Sequence, residues 1–370
     1  MGTAPGGSDS PSMTTTYASL LRRDPGALAF GAILMALSNV GQTYYIALFN
    51  PSFEADVGAS IAVLGALHSI GTLATALLFP ALGGGIERMS IVRYTTFVAA
   101  GLGLGCALVA SATSIVALGF GFVLLRLAGM GLMSHVAAIH ATRAFPVDAG
   151  KALGVFFIGY SMVQGALPLA AVVAIDAIGW RAAWAIAALI VVAGSAVAIR
   201  CLPAGTPSPT AGTPDPAPRE HAGPVARPLG KPLALWLLMP AFLAVTFILT
   251  GVTFHVATIA STKGWSMGWI AIGYMVFAVV QALVSLSIGP WIDRLGSMRF
   301  AAAFLLPQVG AILLLIWLEA PWIVPVFLAL FAASASTDAT LRTTLWLEFV
   351  APHRIAIVRS RFEAARILST

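Results

Sequence analysis

Long runs of apolar residues alternate with short polar segments along most of the chain. A hydrocarbon layer of roughly 30 Å needs about 20 apolar residues in helical form, because the bilayer offers no water to an irregular backbone. We find ten runs of this kind, at approximately 27–49, 61–82, 93–111, 115–139, 153–175, 180–200, 234–258, 268–289, 299–318 and 322–347. The pattern therefore predicts an all-α polytopic membrane protein with one transmembrane helix for each run.

A proline-rich segment separates the sixth run from the seventh. Residues 201–233 carry many prolines and show no apolar periodicity, which is typical of a disordered or polyproline-like linker. The chain is therefore predicted to form two bundles. The predicted regions are a cytoplasmic N-terminal segment at 1–26, a six-helix bundle at 27–200, the linker at 201–233, a partial bundle of four helices at 234–350 and a basic cytoplasmic tail at 351–370.

Composition and the distribution of charge support a membrane location. The chain is 59% hydrophobic and 9% charged, whereas about a quarter of the residues of a soluble domain are charged. Sixteen of the 20 lysines and arginines fall on one side of the predicted helices, and only Arg181 and Lys263 lie in loops on the other side. Since basic loops stay in the cytoplasm, both termini are predicted to be cytoplasmic. This topology explains the net charge of +6 without a nucleic-acid partner.

The N-terminal segment, the cysteines and the composition indicate how the protein is processed and where it is located. The first 26 residues contain no short apolar segment with a small-residue cleavage site, so we expect no cleaved signal peptide. Cys106 lies inside one run and Cys201 at the end of another, which favours neither a disulfide nor a metal site. Usage rich in alanine, glycine and arginine is typical of a GC-rich bacterial source. We therefore expect a multi-pass protein of a bacterial inner membrane.

Two polar segments repeat each other at an offset of 206 residues. GGGIERMSIVR follows the second run, and GPWIDRLGSMR follows the eighth. The offset sets Gly83, Glu87, Arg88 and Arg93 against Gly289, Asp293, Arg294 and Arg299, and Ser90 stands where the second copy has Gly296. A repeat at one offset, between equivalent helices, predicts two homologous halves. Transporters commonly have this organisation, with the substrate site between the repeats near mid-membrane.

With these segments the chain resembles the major facilitator superfamily. The second segment carries the glycine, acid, arginine and glycine pattern of that family's loop signature after the second and eighth helices. The first segment resembles it with Glu87 and Ser90 in place of the usual aspartate and glycine. RLAGMG at 126–131 resembles the pattern of its fourth helix, and GWRAAW at 179–184 resembles the usual start of the sixth. The resemblance covers about 27–350. It implies a two-bundle fold that works by alternating access, with the acids of the loop signature, Glu87 and Asp293, latching the two halves in one state.

The chain departs from the family in its number of helices. Twelve are usual there, whereas ten runs are found here, six before the linker and four after it. The tail at 351–370 holds four arginines and a glutamate, so it is not predicted to span the bilayer. One interpretation is an interfacial amphipathic helix with Ile355, Val358 and Phe362 on its apolar face. The other is a truncated or frame-shifted transporter that lacks the last two helices, in which the partner of Glu87 is missing and cycling is impaired.

Arg126 lies near the centre of the fourth run, where inserting an arginine costs about 2.5–3.5 kcal/mol. Such a residue is expected to face protein or a watery cavity. One interpretation is an anion-binding or proton-coupling group, since a guanidinium stays charged and presents a planar fork to carboxylates. The alternative is a structural arginine that pairs with helix carbonyls or with a nearby acid.

Asp338 and Arg342 lie four residues apart on the tenth helix, so they share one face. One interpretation is a structural ion pair between them. The alternative is that Asp338 is a protonatable group whose charge is coupled to transport.

Other polar residues form a looser set within the runs. In the family the first, fourth, seventh and tenth helices line the cavity, so the resemblance places Gln42, Tyr45, Thr253 and His255 toward the pathway, and Gln164 of the fifth helix joins this set. Each has an alternative role as a hydrogen bond between helices. Histidines can change charge near neutral pH, but His68 and His255 do not by themselves establish proton coupling.

Together these features predict a secondary active transporter of a small solute and no enzyme. We find no His-Glu-x-x-His, nucleophile elbow or phosphate-binding loop, and we expect neither a cofactor nor a metal. Arg126 makes an organic anion such as a monocarboxylate the leading substrate, with proton coupling as one option. The alternatives are proton-coupled efflux of amphipathic compounds and a non-transporting remnant of a transporter. We expect a monomer in the lipid bilayer that binds a small-molecule solute and no nucleic acid.

Overall fold

The computed structural model describes residues 17–202 and 232–349, together with positions 362, 365 and 366. These residues form helices and turns, with no strand among them. Eight helices are long and apolar enough to cross a membrane, and two bent helix pairs raise the number to ten when each pair counts as one span. The predicted all-α polytopic membrane fold is confirmed.

The first half begins with a short helix at Tyr17–Arg23 and continues with six spans. Its first span is a bent pair, Pro25–Gly41 and Thr43–Val57, whose axes differ by 48°. The next five are Ile61–Gly83, Ile91–Ala110, Ile115–Ala144, Ala149–Ile178 and Trp180–Cys201.

The second half supplies four spans. The seventh span is again a bent pair, in which Pro232–Phe254 is followed by Val256–Thr262, with a bend of 56° at His255. The eighth is Met267–Leu295 and the tenth is Ile323–Phe349. The ninth, Ser297–Trp317, consists of helices Ser297–Ala301 and Leu306–Trp317 with a turn between them. The first and seventh spans, which begin the two halves, are therefore both broken by a bend.

Successive spans alternate in direction, so the connecting loops lie on two sides of the bundle. We call the side that holds both repeated segments the basic side. Its exposed arginines include Arg88, Arg93, Arg294 and Arg299. The other side, called the opposite side, holds Asp56, Arg181 and Lys263. The basic side is the one that the charge distribution predicts to be cytoplasmic.

The two repeated segments fold differently although they share one pattern. Ser90 is the N-cap of the third span and accepts a hydrogen bond from Arg93 N at 3.3 Å through its side chain. The equivalent Gly296 is also the cap of the following helix, but it has a φ of 86°, which glycine adopts without a steric cost. The cap position is therefore shared by the two copies, with a hydroxyl in one and a left-handed glycine in the other.

From the sequence, Gly289 and Gly296 would both suit a tight turn between the eighth and ninth runs, but the prediction is wrong for Gly289. The eighth span continues to Leu295, so Gly289 lies inside the helix, and the turn itself comes at Gly296. Gly83 is the last residue of the second span, and Glu87 is exposed in the short 3-10 turn that follows. The side chain of Asp293 lies outside the described part of the structure, so its latch role stays a prediction.

On the opposite side, Asp56 joins the end of the first span to the start of the sixth. Its Oδ2 accepts hydrogen bonds from Trp180 Nε1 at 2.7 Å and from an Arg181 guanidinium nitrogen at 2.8 Å. Arg181 also donates to Ala112 O at 3.1 Å, and its guanidinium lies 4.1 Å from the centre of the Trp180 ring. The GWRAAW segment therefore ties the first, third and sixth spans together.

The tail of the chain contributes at least one residue to the core of the second half. Phe362 is 4% exposed; its ring packs edge-on against Phe242, and the Arg342 guanidinium lies 5.1 Å from its centre. The repeat offset relates Phe362 to Phe156, which is fully buried beside His140 in the first half. Both phenylalanines are therefore buried, each in the core of its own half. Most of the predicted amphipathic tail lies outside the described residues.

The first and fourth spans cross at two glycines, and both helices are irregular there. A Cβ atom on Gly41 would lie 2.7 Å from Met130 N and 2.8 Å from Gly129 Cα. A Cβ atom on Gly129 would lie 2.7 Å from Gly41 Cα. Because no side chain fits between two backbones this close, glycine at both positions permits the crossing.

We expect Gly41→Ala to destabilise the protein by about 1–3 kcal/mol, since the added methyl group forces the two backbones apart. The midpoint of thermal unfolding in detergent measures the effect. Gly251→Ala is the matched control, because Gly251 also lies in a span but has open space around its Cα. Equal stability of the two variants would contradict the close crossing.

Candidate functional site

The candidate site forms where the first and fourth spans lose regular α-helical geometry. In the first span, Ser38 Oγ and Asn39 Nδ2 donate to the carbonyl oxygens of the preceding turn, Met35 O and Ala36 O, and a 3-10 turn follows at Ser38–Gly41. Side chains that bond to the backbone in this way compete with helical hydrogen bonds. The fourth span widens into a π-helix at Leu125–Met133. Such irregular backbone at membrane depth is tolerated where protein or a cavity surrounds it.

Arg126 lies in the π-helix and is 0% exposed. Its Nε and Nη2 donate to Thr72 Oγ1 at 3.2 and 3.0 Å, and its Nη1 donates to Thr43 Oγ1 at 3.1 Å. Gly71 leaves room for the side chain, because a Cβ there would lie 3.3 Å from Arg126 Cγ. The guanidinium therefore connects the fourth span with the first and second spans.

His68 extends this network through the same threonine. Its Nε2 lies 3.0 Å from Thr43 Oγ1, so one hydroxyl contacts both the guanidinium and the imidazole. The Nδ1 atom of His68 is buried without a hydrogen-bond partner among the described residues. The ring packs against Phe254 of the seventh span, with ring centres 5.4 Å apart. The network of the first half therefore reaches the boundary with the second half.

Asn39 and Tyr44 form a second polar contact beside the break. Tyr44 Oη donates to Asn39 Oδ1 at 2.6 Å, while Asn39 Nδ2 donates to Tyr160 O of the fifth span at 3.2 Å. Both atoms of the Asn39 amide group are thereby used within the protein. We assign these two residues a structural role in holding the broken span.

The two halves meet closely on the opposite side. Asn50 Nδ2 donates to Phe254 O at 3.1 Å across the boundary. The ring of Phe254 lies beside Gly65, where an added Cβ would come within 3.5 Å of it. Phe254 stands at the bend of the seventh span, so the bend places an aromatic ring between the first and second spans. This contact seals the boundary between the halves on the opposite side.

A second contact between the halves joins the fifth and eighth spans. A Cβ on Gly165 would lie 3.0 Å from Ala278 Cβ, and the rings of Tyr44 and Tyr274 have centres 5.2 Å apart. Tyr274 is 1% exposed and Gln164 is 6% exposed. This contact brings Tyr44 and Tyr274 together across the boundary between the halves.

On the basic side the halves are separated by a cavity of about 490 Å³ between the fifth and tenth spans. Its lining combines apolar groups with threonine hydroxyls: Gly150, Leu153, Gly154, Phe157, Ala339, Thr340 and Thr344. Phe157, in the wall contributed by the fifth span, is 52% exposed. Among the described residues, the halves are therefore in contact on the opposite side and leave this cavity between them on the basic side.

The structure brings some of the predicted site residues together and separates others. Arg126 and Gln164 lie near the broken first span, and half-buried Gln42 lies in that break. Tyr45 points into the first half, where its ring packs against Trp184 with centres 5.1 Å apart. Thr253 and His255, the two predicted site residues on the seventh span, lie nearer the opposite side.

Thr253 donates to Thr250 O at 3.0 Å, and His255 is exposed at the bend, with its ring against Phe254. On the tenth span the predicted pair forms, with Arg342 Nη1 3.5 Å from Asp338 Oδ2. Ala339 and Thr340 follow Asp338 directly and line the cavity, so this pair stands next to the open side.

Sequence reasoning missed Thr72 and Tyr274. Thr72 lies one turn after His68 on the second span, so a common face of the two was detectable from the spacing. Tyr274 is an isolated polar residue in an apolar run, and no local pattern marks it.

Comparisons with solved structures show helical transporters of similar fold. A bacterial homologue of the human lysosomal transporter Spinster, in an inward-facing and unoccupied conformation, matches with a TM-score of 0.71 and 18% identity, over 96% of this chain and 80% of that chain. The nucleoside transporter NupG matches with a TM-score of 0.64 and 13% identity, over 93% of this chain and 87% of that chain. The human organic anion transporter MFSD10 (TETRAN) matches with a TM-score of 0.59 and 16% identity, over 94% and 91%. At these identities the likeness is one of fold.

A search of curated proteins gives no match. The family model of the Major Facilitator Superfamily matches residues 28–364, which include both halves, both repeated segments and the broken first span. This chain belongs to the major facilitator superfamily of membrane transporters.

Proposed function

We propose that the protein is a secondary active transporter that carries a small organic anion, such as a monocarboxylate, by alternating access. The observation that carries this proposal is the guanidinium of Arg126, wholly buried at mid-span beside the break of the first span. A charge at this depth is costly and marks substrate or ion pathways in membrane proteins. A planar guanidinium suits the two oxygens of a carboxylate.

The position of the arginine supports a role in recognition. Thr43 and Thr72, its neutral hydroxyl acceptors, come from two different spans, so movement of either span changes the hydrogen bonds of the guanidinium. Thr43 belongs to the four-residue helix Thr43–Ile46 that follows the break. Such a discontinuous span is a common site of substrate binding in transporters.

The closed and open sides of the molecule support alternating access. The bacterial Spinster homologue to which the chain is similar is inward-facing, and here the cavity opens on the basic side, predicted to be cytoplasmic. We infer that this structure represents the inward-facing state. Transport then requires Phe254 to leave Gly65 and Asn50 while the basic side closes.

The positions of Asp338 and His68 favour a proton as the coupling ion. The Asp338 carboxylate lies 3.5 Å from Arg342 and directly precedes two residues of the cavity wall. Protonation of Asp338 would remove its attraction for Arg342 and so change the contacts of the tenth span at the cavity. His68 is the second candidate, because Thr43 connects it to Arg126.

Export of amphipathic compounds is a second candidate function. The cavity wall contributed by the fifth span is apolar, with Leu153 and exposed Phe157, whereas the tenth span contributes threonine hydroxyls. A molecule with one apolar and one polar face would match these two walls.

Arg126→Gln is expected to lower carboxylate uptake into proteoliposomes by roughly 10- to 100-fold, because a charge-assisted hydrogen bond contributes about 1.5–3 kcal/mol. The measurement uses a panel of labelled carboxylates with and without a pH gradient. Arg143→Gln, at the exposed basic end of the same span, is the control and should keep uptake unchanged. Arg126→Lys keeps the charge without the fork, and should also transport poorly while remaining folded.

Unchanged uptake by a folded Arg126→Gln protein would refute the anion site while leaving the transporter family intact. Uptake of no carboxylate by the unaltered protein, together with export of amphipathic dyes, would favour the second candidate function.

Phe254→Ala is expected to open the seal on the opposite side, because it removes the ring that fills the space beside Gly65. The readout is a cysteine at Thr250, one turn deeper in the seventh span, in a protein whose two native cysteines are replaced. A membrane-impermeant thiol reagent added from the opposite side should label this cysteine faster in Phe254→Ala. Phe247→Ala, which removes a ring 66% exposed on the same span, should leave the rate unchanged. Equal rates in both variants would contradict the proposed seal.

A further inference from the structure

The contact between the fifth and eighth spans contains two buried polar atoms without partners. Gln164 Oε1 and Tyr274 Oη have no hydrogen bond within the described part of the chain. Both residues are more than nine-tenths buried, at 6% and 1% exposure. Buried polar groups are normally paired, so each exception needs a physical reason.

The neighbouring polar groups do not supply the missing partners. Tyr44, whose ring is 5.2 Å from that of Tyr274, donates its hydroxyl hydrogen to Asn39 Oδ1. Asn39 Nδ2 in turn donates to backbone carbonyls, including that of Tyr160, one turn before Gln164. The local hydrogen-bonding capacity of Asn39 is therefore used, so it does not pair with Gln164 Oε1 or Tyr274 Oη.

The broken first span links these two residues to Arg126. Thr43 accepts a hydrogen bond from the guanidinium, and the ring of the next residue, Tyr44, packs against that of Tyr274 at an interplanar angle of 38°. Adjacent Cα atoms lie about 3.8 Å apart, so one small molecule can reach groups placed by both residues. Arg126 and Tyr274 therefore contact adjacent residues of the same short helix, Thr43–Ile46. Gln164 directly precedes Gly165, where the fifth span packs against the eighth.

We propose that Gln164 and Tyr274 form a subsite for a hydroxyl group of the transported anion, which makes hydroxycarboxylates the favoured substrates. A hydroxyl can donate to Gln164 Oε1 and accept from Tyr274 Oη at the same time, so it satisfies both atoms. A hydrogen or methyl group in its place leaves both unpaired. This inference rests on the proposed anion transport and specifies its substrate class.

The test compares lactate with propionate, which differ only in one hydroxyl. In proteoliposomes the unaltered protein should show a kcat/KM for lactate about tenfold or more above that for propionate, as expected for one or two neutral hydrogen bonds. Tyr274→Phe and Gln164→Leu should each lower this ratio, mainly by reducing lactate uptake. Tyr94→Phe is the control, because it removes a buried hydroxyl that bonds to Leu82 O elsewhere in the first half. Its ratio should match that of the unaltered protein.

The possible failures are distinguishable. Equal uptake of lactate and propionate by the unaltered protein overturns the hydroxyl subsite and leaves anion transport standing. A preference for lactate that survives in both Tyr274→Phe and Gln164→Leu also overturns it, and a raised unfolding temperature of these variants would then indicate that the two atoms are only a cost to stability. Uptake of neither acid, nor of any other carboxylate, refutes the proposed function and the subsite with it.

Discussion

A guanidinium placed inside a membrane protein must find hydrogen-bond acceptors within the fold, because the surrounding hydrocarbon offers none. Arg126 meets this constraint through hydroxyls of the first and second spans. To bring them within reach, the backbones approach closely at Gly41 and Gly129, and Gly71 leaves room for the arginine side chain. The arginine and these glycines therefore determine how three spans of the first half pack.

The same constraint connects the interior of the first half to the boundary with the second. The first span breaks at the level of Arg126, so its next four residues change direction. Thr43 then contacts Arg126 and His68, while Tyr44 contacts Tyr274 of the second half. Because the two contacts come from adjacent residues, a change in the hydrogen bonds of Arg126 affects the surface on which the halves move. Under the proposed anion transport, this arrangement would let a bound anion bias the equilibrium between the two states.

The sequence predicted the general architecture well because it depends on strong, local signals. Ten apolar runs and a repeat at one offset are readable from residue order alone. The helix breaks were harder to predict from the sequence. The bend at Gly41 depends on the side chains of Ser38 and Asn39, which compete with helical N–H groups for backbone carbonyls. The seal by Phe254 and the position of Tyr274 depend on contacts between distant spans, so no local pattern could indicate them. Gly289 shows the converse error, in which a turn-forming residue lies within a continuous helix.

The most direct test of alternating access is a pair of spin-label distance measurements across the two sides of the molecule. Labels at Glu54 and Thr258 report the opposite side, and labels at Arg88 and Arg299 report the basic side; all four positions are exposed. The distances are measured in acid and neutral buffer, with and without lactate. Alternating access predicts reciprocal changes, in which the Glu54–Thr258 distance lengthens as the Arg88–Arg299 distance shortens. Distances that stay constant under all conditions, or that change in the same direction, would contradict it.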